Sequence, residues 1–173
     1  MNVPGDFDAA ALFAVVDQQL AERDMTVAQL NRELAWMSQK TFEGLRQQSD
    51  PGCQHILPVI QWVGRTPESF TVGGDTARGE LLPEPGDGGW RWYWDMTELV
   101  SALETKRLEF DMSWSDVAEQ LGTKNDWIKH LRKTRYGTSI GLAMRSARWL
   151  GRTAASFMWE NDGRGLPWSG RRL

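Results

Sequence analysis

One cysteine and two histidines are the softest ligands and nucleophiles in this chain of 173 residues. Cys53 and His55 stand two positions apart, beside the Pro51-Gly52 break. A thiolate–imidazole pair tolerates that spacing, but no orienting third group surrounds it in a recognisable pattern, so nucleophilic catalysis is not expected. The same three residues fall short of the spaced Cys and His sets that hold zinc. The stretch GDGGW is rich in glycine but lacks the Lys-Ser/Thr that completes a phosphate loop. No enzyme, metal or cofactor is therefore expected. The chemistry that the residues do support is electrostatic. From Lys124 to Arg152 the chain carries Lys124, Lys129, Arg132, Lys133, Arg135, Arg145, Arg148 and Arg152, with His130 among them and Asp126 as the single acid. Cations of this kind neutralise phosphates, and polar side chains between them read base edges.

The totals frame that run. Net charge is −3 at pH 7, so the chain as a whole does not favour nucleic acid, although a single face is free to do so. No apolar run approaches the roughly 20 residues that span a bilayer, and MNVPGDFDAA has neither the basic nor the apolar region of a signal peptide. A cytoplasmic protein is expected. The ten tryptophans are read first as packing residues.

The elements that must position the basic run are written twice. WVGRTPESF begins at Trp62 and WLGRTAASF at Trp149, 87 residues later. The same offset pairs Asp8 with Asp95, Leu12 with Leu99, Asp24 with Asp111, Met25 with Met112, Leu30 with Val117 and Leu34 with Leu121. The register slips by one residue at Leu45/Leu131 and Arg46/Arg132, then recovers. A duplicated unit is expected, over residues 6–72 and 94–160, joined by a Gly- and Pro-rich linker at 73–93 and followed by a flexible basic tail at 161–173. Trp90, Trp92 and Trp94 alternate at the end of the linker. A strand there is compatible with the spacing, but packing against the next helix is the favoured expectation.

Each unit reads as five short helices. Asp8 and Asp95 cap the first. Thr26 with Gln29, and Ser113 with Asp116, set capping boxes for the second. Ser38 caps a third bearing Phe42 and Leu45, matched by Ile128 and Leu131 in the second unit. The fourth carries Ile56 to Val63, or Leu142 to Leu150, and Thr66 and Thr153 open the fifth.

The stretch MSWSDVAEQLGTKNDWIKHL, with Val117-Ala118, Leu121-Gly122, Ile128 and Leu131 at their spacing, resembles the helix-turn-helix of the Cro and phage-repressor family. The resemblance extends over both units, to the small bacterial regulators of that family that end in a Trp-Leu-Gly phrase. The first unit is the more divergent: Asn31 follows Leu30, and Ala35 takes the place of the turn glycine. The resemblance implies an all-α protein of two tandem lambda-repressor-like five-helix domains. It places base contacts on Asn125, Asp126 and His130 in the second unit, and on Gln39 and Lys40 in the first, where Gly44 takes the third position. Backbone contacts fall on Ser38, Arg46, Ser113, Lys124, Lys129, Arg132, Lys133 and Arg135. Arg65 and Arg152 are expected to pair with acids of the first helices rather than with phosphate.

The function expected on these grounds is sequence-specific binding of double-stranded DNA by a transcriptional repressor, at an asymmetric site because the two units differ in their reading residues. Its expected location is the nucleoid. A second copy or another protein is a further expected partner, and neither a membrane nor a small-molecule ligand is. The alternative is a protein–protein interaction module built from degenerate units.

Overall fold

Six of the eight α-helices described start where a short polar side chain takes up amides that the helix leaves unpaired. The computed structural model describes residues 6–34, 37–73, 79–81, 91–133 and 137–161. Asp8 accepts from Ala11 N at 2.9 Å and opens α1 (Ala9–Glu22). Thr26 and Gln29 form a capping box at the head of α2 (Val27–Glu33). Ser38 accepts from Thr41 N at 3.1 Å to open α3 (Gln39–Arg46), and α4 (Cys53–Trp62) follows Gly52. The second half repeats the scheme with α5 (Met96–Glu109) capped by Asp95, α6 (Trp114–Gln120) by the Ser113/Asp116 box, then α7 (Asn125–Lys133), and α8 (Ile140–Leu150) capped by Ser139. Asp24 and Asp111 both turn the chain at φ 50°, a left-handed conformation that Asp tolerates better than most residues.

Among the described residues the protein is mostly helical, with eight α-helices and one two-stranded sheet. The fifth helix expected in each unit is reduced to a 3-10 turn, Pro67–Phe70 and Ala154–Phe157, because four residues cannot establish the i→i−4 pattern. The alternating tryptophans do form a strand rather than simply packing. β1 (Arg91–Trp94) pairs antiparallel with β2 (Met158–Asn161), joining Trp92 to Glu160 and Trp94 to Met158. Trp90 and residues 162–173 lie outside the described residues.

The repeated Trp-x-Gly-Arg-Thr phrase closes each unit on itself. Trp62 Nε1 donates to Glu33 at 2.7 Å, and Trp149 Nε1 donates to Gln120 at 2.5 Å, tying the fourth helix of each unit to its second. Gly64 and Gly151 end those helices at φ 67° and 71°, where a side chain would be strained. Phe70 and Phe157 are then buried, and their carbonyls accept from Asp8 N and Asp95 N, both at 2.6 Å.

The two units also meet each other. Cys53 N donates to Thr138 O and Ile140 N to Pro51 O, both at 2.8 Å, flanking an antiparallel bridge between Gly52 and Ser139. Shifting every residue of one bond by 87 positions produces the other, so the contact maps onto itself when the units are exchanged. That is the signature of a two-fold relation, here inside one chain. Asp50 caps α8 from across the seam, accepting from Gly141 N at 2.8 Å. The Gln54 amide brackets the Trp94 backbone at 2.9 and 3.1 Å, and Asp6 pairs with Arg145. A continuous cluster of buried side chains runs through both units, from Phe7 and Leu12 to Leu142 and Phe157. No helix among the described residues is long and apolar enough to cross a membrane.

Candidate nucleic-acid interface

α6 and α7 are separated by a short turn in which Gly122 adopts φ 60° and Thr123 N reaches back to Ala118 O at 2.9 Å. Val117 and Ala118 on α6, Leu121 in the turn, and Ile128 and Leu131 on α7 are all buried, and they seat α7 against the unit. Helical spacing then turns Asp126, Lys129, His130 and Lys133 to the opposite side, where all four are exposed. Lys129 donates to Asp126 at 3.2 Å, which offsets the one acid of that face. Lys124 is exposed just ahead of the helix, and among the described residues no carboxylate pairs with Lys124 or Lys133.

Other residues expected at the interface are placed differently. Asn125 is half-buried, with its side-chain carbonyl oxygen enclosed and unpartnered, so it is turned inward rather than outward. The Arg132 guanidinium lies 4.5 Å from the Trp114 ring centre, and Arg107 approaches the same ring at 5.3 Å. Arg107 in turn bonds Glu104 and holds its carboxyl below the usual range. Glu104, Trp114 and Arg132 line a groove of about 470 Å³ between α5 and α7, together with Lys129 and Lys133. Ser113 is occupied as a cap, and its hydrogen bonds to Asp116 lower that carboxyl's pKa. Arg135 lies outside the described residues. Of the remaining cations in the run, Arg145 pairs with Asp6 and Arg152 with Glu98 of α5, at 2.9 Å for the latter.

The first unit offers a different face. Lys40, Glu43 and Gly44 are exposed on α3, and Gln39 donates to Glu43 at 2.8 Å. Arg46, expected on a phosphate, instead grips Asp17 of α1 in a bidentate pair at 2.6 and 2.9 Å, above the rings of Phe13 and Phe42. The reason is local geometry: an arginine one turn beyond Phe42 meets the α1 carboxylate before it meets solvent. Ser38 is likewise taken up by Thr41. The α7 face is therefore cationic and the α3 face close to neutral.

Cys53 is fully buried, and burial pushes its thiol up to about 12. That is the reverse of the environment that activates a nucleophilic cysteine. Among the described residues no group of three His, Cys, Asp or Glu side chains is arranged to hold a metal ion. One surface residue went unassigned in the sequence: Trp127 on α7 is 55% exposed. It lines a groove of about 310 Å³ with His130 and Ser139 of its own unit and, across the seam, His55. Its interruption of the α7 pattern by a large aromatic was the available signal. No known protein family, curated protein or solved structure matches this chain.

Proposed function

We propose that the chain is a sequence-specific double-stranded DNA-binding regulator of transcription, acting as a repressor through two tandem helix-turn-helix units of the lambda-repressor type. The observation that carries the reading is the exposed face of α7, where Lys129, His130 and Lys133 stand opposite the buried Ile128 and Leu131, beyond a glycine turn. An element with that polarity matches a phosphate-lined groove in charge and an α-helix's fit to the major groove in shape. On this reading Asp126 and His130 face base edges, and Lys124, Lys129 and Lys133 face phosphates.

The two-fold relation at the seam adds geometry. Units exchanged by a two-fold axis present their reading helices in opposite senses, so the half-sites are inverted and about 34 Å apart, one turn of duplex. The residues they carry differ, Lys40 and Gly44 against Asp126 and His130, so the inverted half-sites differ in sequence. The operator remains asymmetric in content while its frame is two-fold. The chain acts as its own dimer, and a regulator of this kind resides with the nucleoid.

A second reading, a protein-interaction module, is favoured by Leu108 and Phe110, 61% and 65% exposed at the end of α5, where the first unit has Ala21 and Arg23. Selection of random duplex DNA on the purified protein at two salt concentrations separates the two. An enriched motif of inverted, unequal halves supports the regulator. Absence of enrichment, with weak binding abolished by modest salt, removes it in favour of the protein-binding reading.

A further inference from the structure

Resting on that DNA-binding reading, we infer that Trp127 contacts the C5-methyl group of a thymine in the half-site facing α7, so the protein sits on its operator in one orientation. Trp127 is the one tryptophan among the described residues that is left on the surface. Trp94 is buried, and Trp62, Trp92, Trp114, Trp149 and Trp159 are all half-buried. Trp62 gives its indole N–H to Glu33 and Trp149 to Gln120. Trp127 has no place in the core, because Ile128 and Leu131 already fill the inward side of α7.

The indole stands on the flank of the cationic face, next in the groove to His130 and facing the seam. Lys129 and Lys133 line the other groove, between α5 and α7, so a duplex seated across His130 meets lysines on one edge of α7 and the indole on the other. For a duplex entered through its major groove, the apolar feature that offers an indole the most contact is the thymine methyl, the one alkyl group on any base edge there. The counterpart positions on α3 are Thr41 and Gly44, which lack an aromatic surface. The thymine preference thus belongs to one half-site, and the inverted frame acquires a direction.

The test uses the full chain and the motif obtained by selection, with each thymine replaced in turn by deoxyuridine. That change removes the methyl and keeps every hydrogen-bonding group. One or two substitutions, all in one half-site, are expected to weaken binding about four-fold, the worth of one buried methyl group. Trp127→Ala should weaken binding and abolish that sensitivity, Trp127→Phe should keep part of it, and Lys133→Ala should keep all of it while lowering the salt dependence. A motif with a flat uracil scan, sensitivity shared by both half-sites, or sensitivity that survives Trp127→Ala would overturn the inference and leave the DNA-binding reading standing. Failure of any motif to emerge would overturn both. Circular dichroism of each variant establishes that a loss of binding is not a loss of fold.

Discussion

Gly52 and Ser139 face one another across an antiparallel bridge, and each holds the same place in its own unit. A residue pairs with its own counterpart only on or near a two-fold axis, so the duplication has built a dimer interface into a single chain. The seam is close-packed. A Cβ on Gly141 would stand 2.9 Å from the Asp50 carboxylate, and one on Gly137, at φ 117°, would meet the Gln54 side chain at 3.0 Å.

The seam should therefore control the stability of both units at once. Asp50→Ala removes the acceptor at the head of α8 and should cost about 1 kcal/mol. Gly141→Ala, crowded against the same carboxylate, should cost about 1–3 kcal/mol. Urea titration followed by tryptophan fluorescence and by circular dichroism should show one coincident transition shifted to lower denaturant. Two separated transitions would show that the units unfold independently.

Asn31 on α2 has both polar atoms of its amide enclosed without a partner, whereas its counterpart Ala118 is buried and apolar. A buried amide left unsatisfied costs about 1–3 kcal/mol. Asn31→Ala should stabilise the protein by an amount in that range, read as a higher denaturation midpoint with an unchanged m-value. A destabilised variant would mean that the amide is satisfied in solution.

The arginine that looks equivalent in the two units should behave differently from the free lysine. Arg46→Ala breaks the Asp17 pair and should lower stability by up to about 1 kcal/mol, with DNA affinity and its salt dependence unchanged. Lys133→Ala should leave stability intact and reduce the slope of log affinity against log salt by about 0.9. Binding titrations at four salt concentrations distinguish them, and a reduced slope for Arg46→Ala would return that residue to the phosphate.

Burial raises the Cys53 thiol from its ordinary value of 9.0 to about 12. The folded state then holds this proton more tightly than the unfolded state. The thiol's contribution to stability is complete below pH 9 and is lost as pH rises toward 12. Iodoacetamide at neutral pH should fail to label the native protein and label it readily in denaturant. Cys53→Ala should flatten the alkaline fall in stability. Rapid labelling of the native state would show that the seam opens.

The sequence by itself determined the repeat, the capped helix starts at Asp8, Thr26, Ser38, Asp95 and Ser113, and most of the two buried faces. The reason is that caps, apolar periodicity and turn residues act within about four residues of one another, so the interacting groups lie together on the page. It also made legible the cationic run and the helix that carries it. Apart from the pairing of Arg152 with an acid of the first helix of its unit, only the tertiary structure decided which cations of the chain are spoken for. Arg145 meets Asp6, 139 positions away, and Arg46 meets Asp17 through the crossing of α3 over α1. The pairing of β1 with β2, the two-fold seam at Gly52 and Ser139, and the exposure of Trp127 are of the same kind. Each depends on where another segment arrives, and an arginine or a tryptophan carries no local mark of whether a distant partner will cover it.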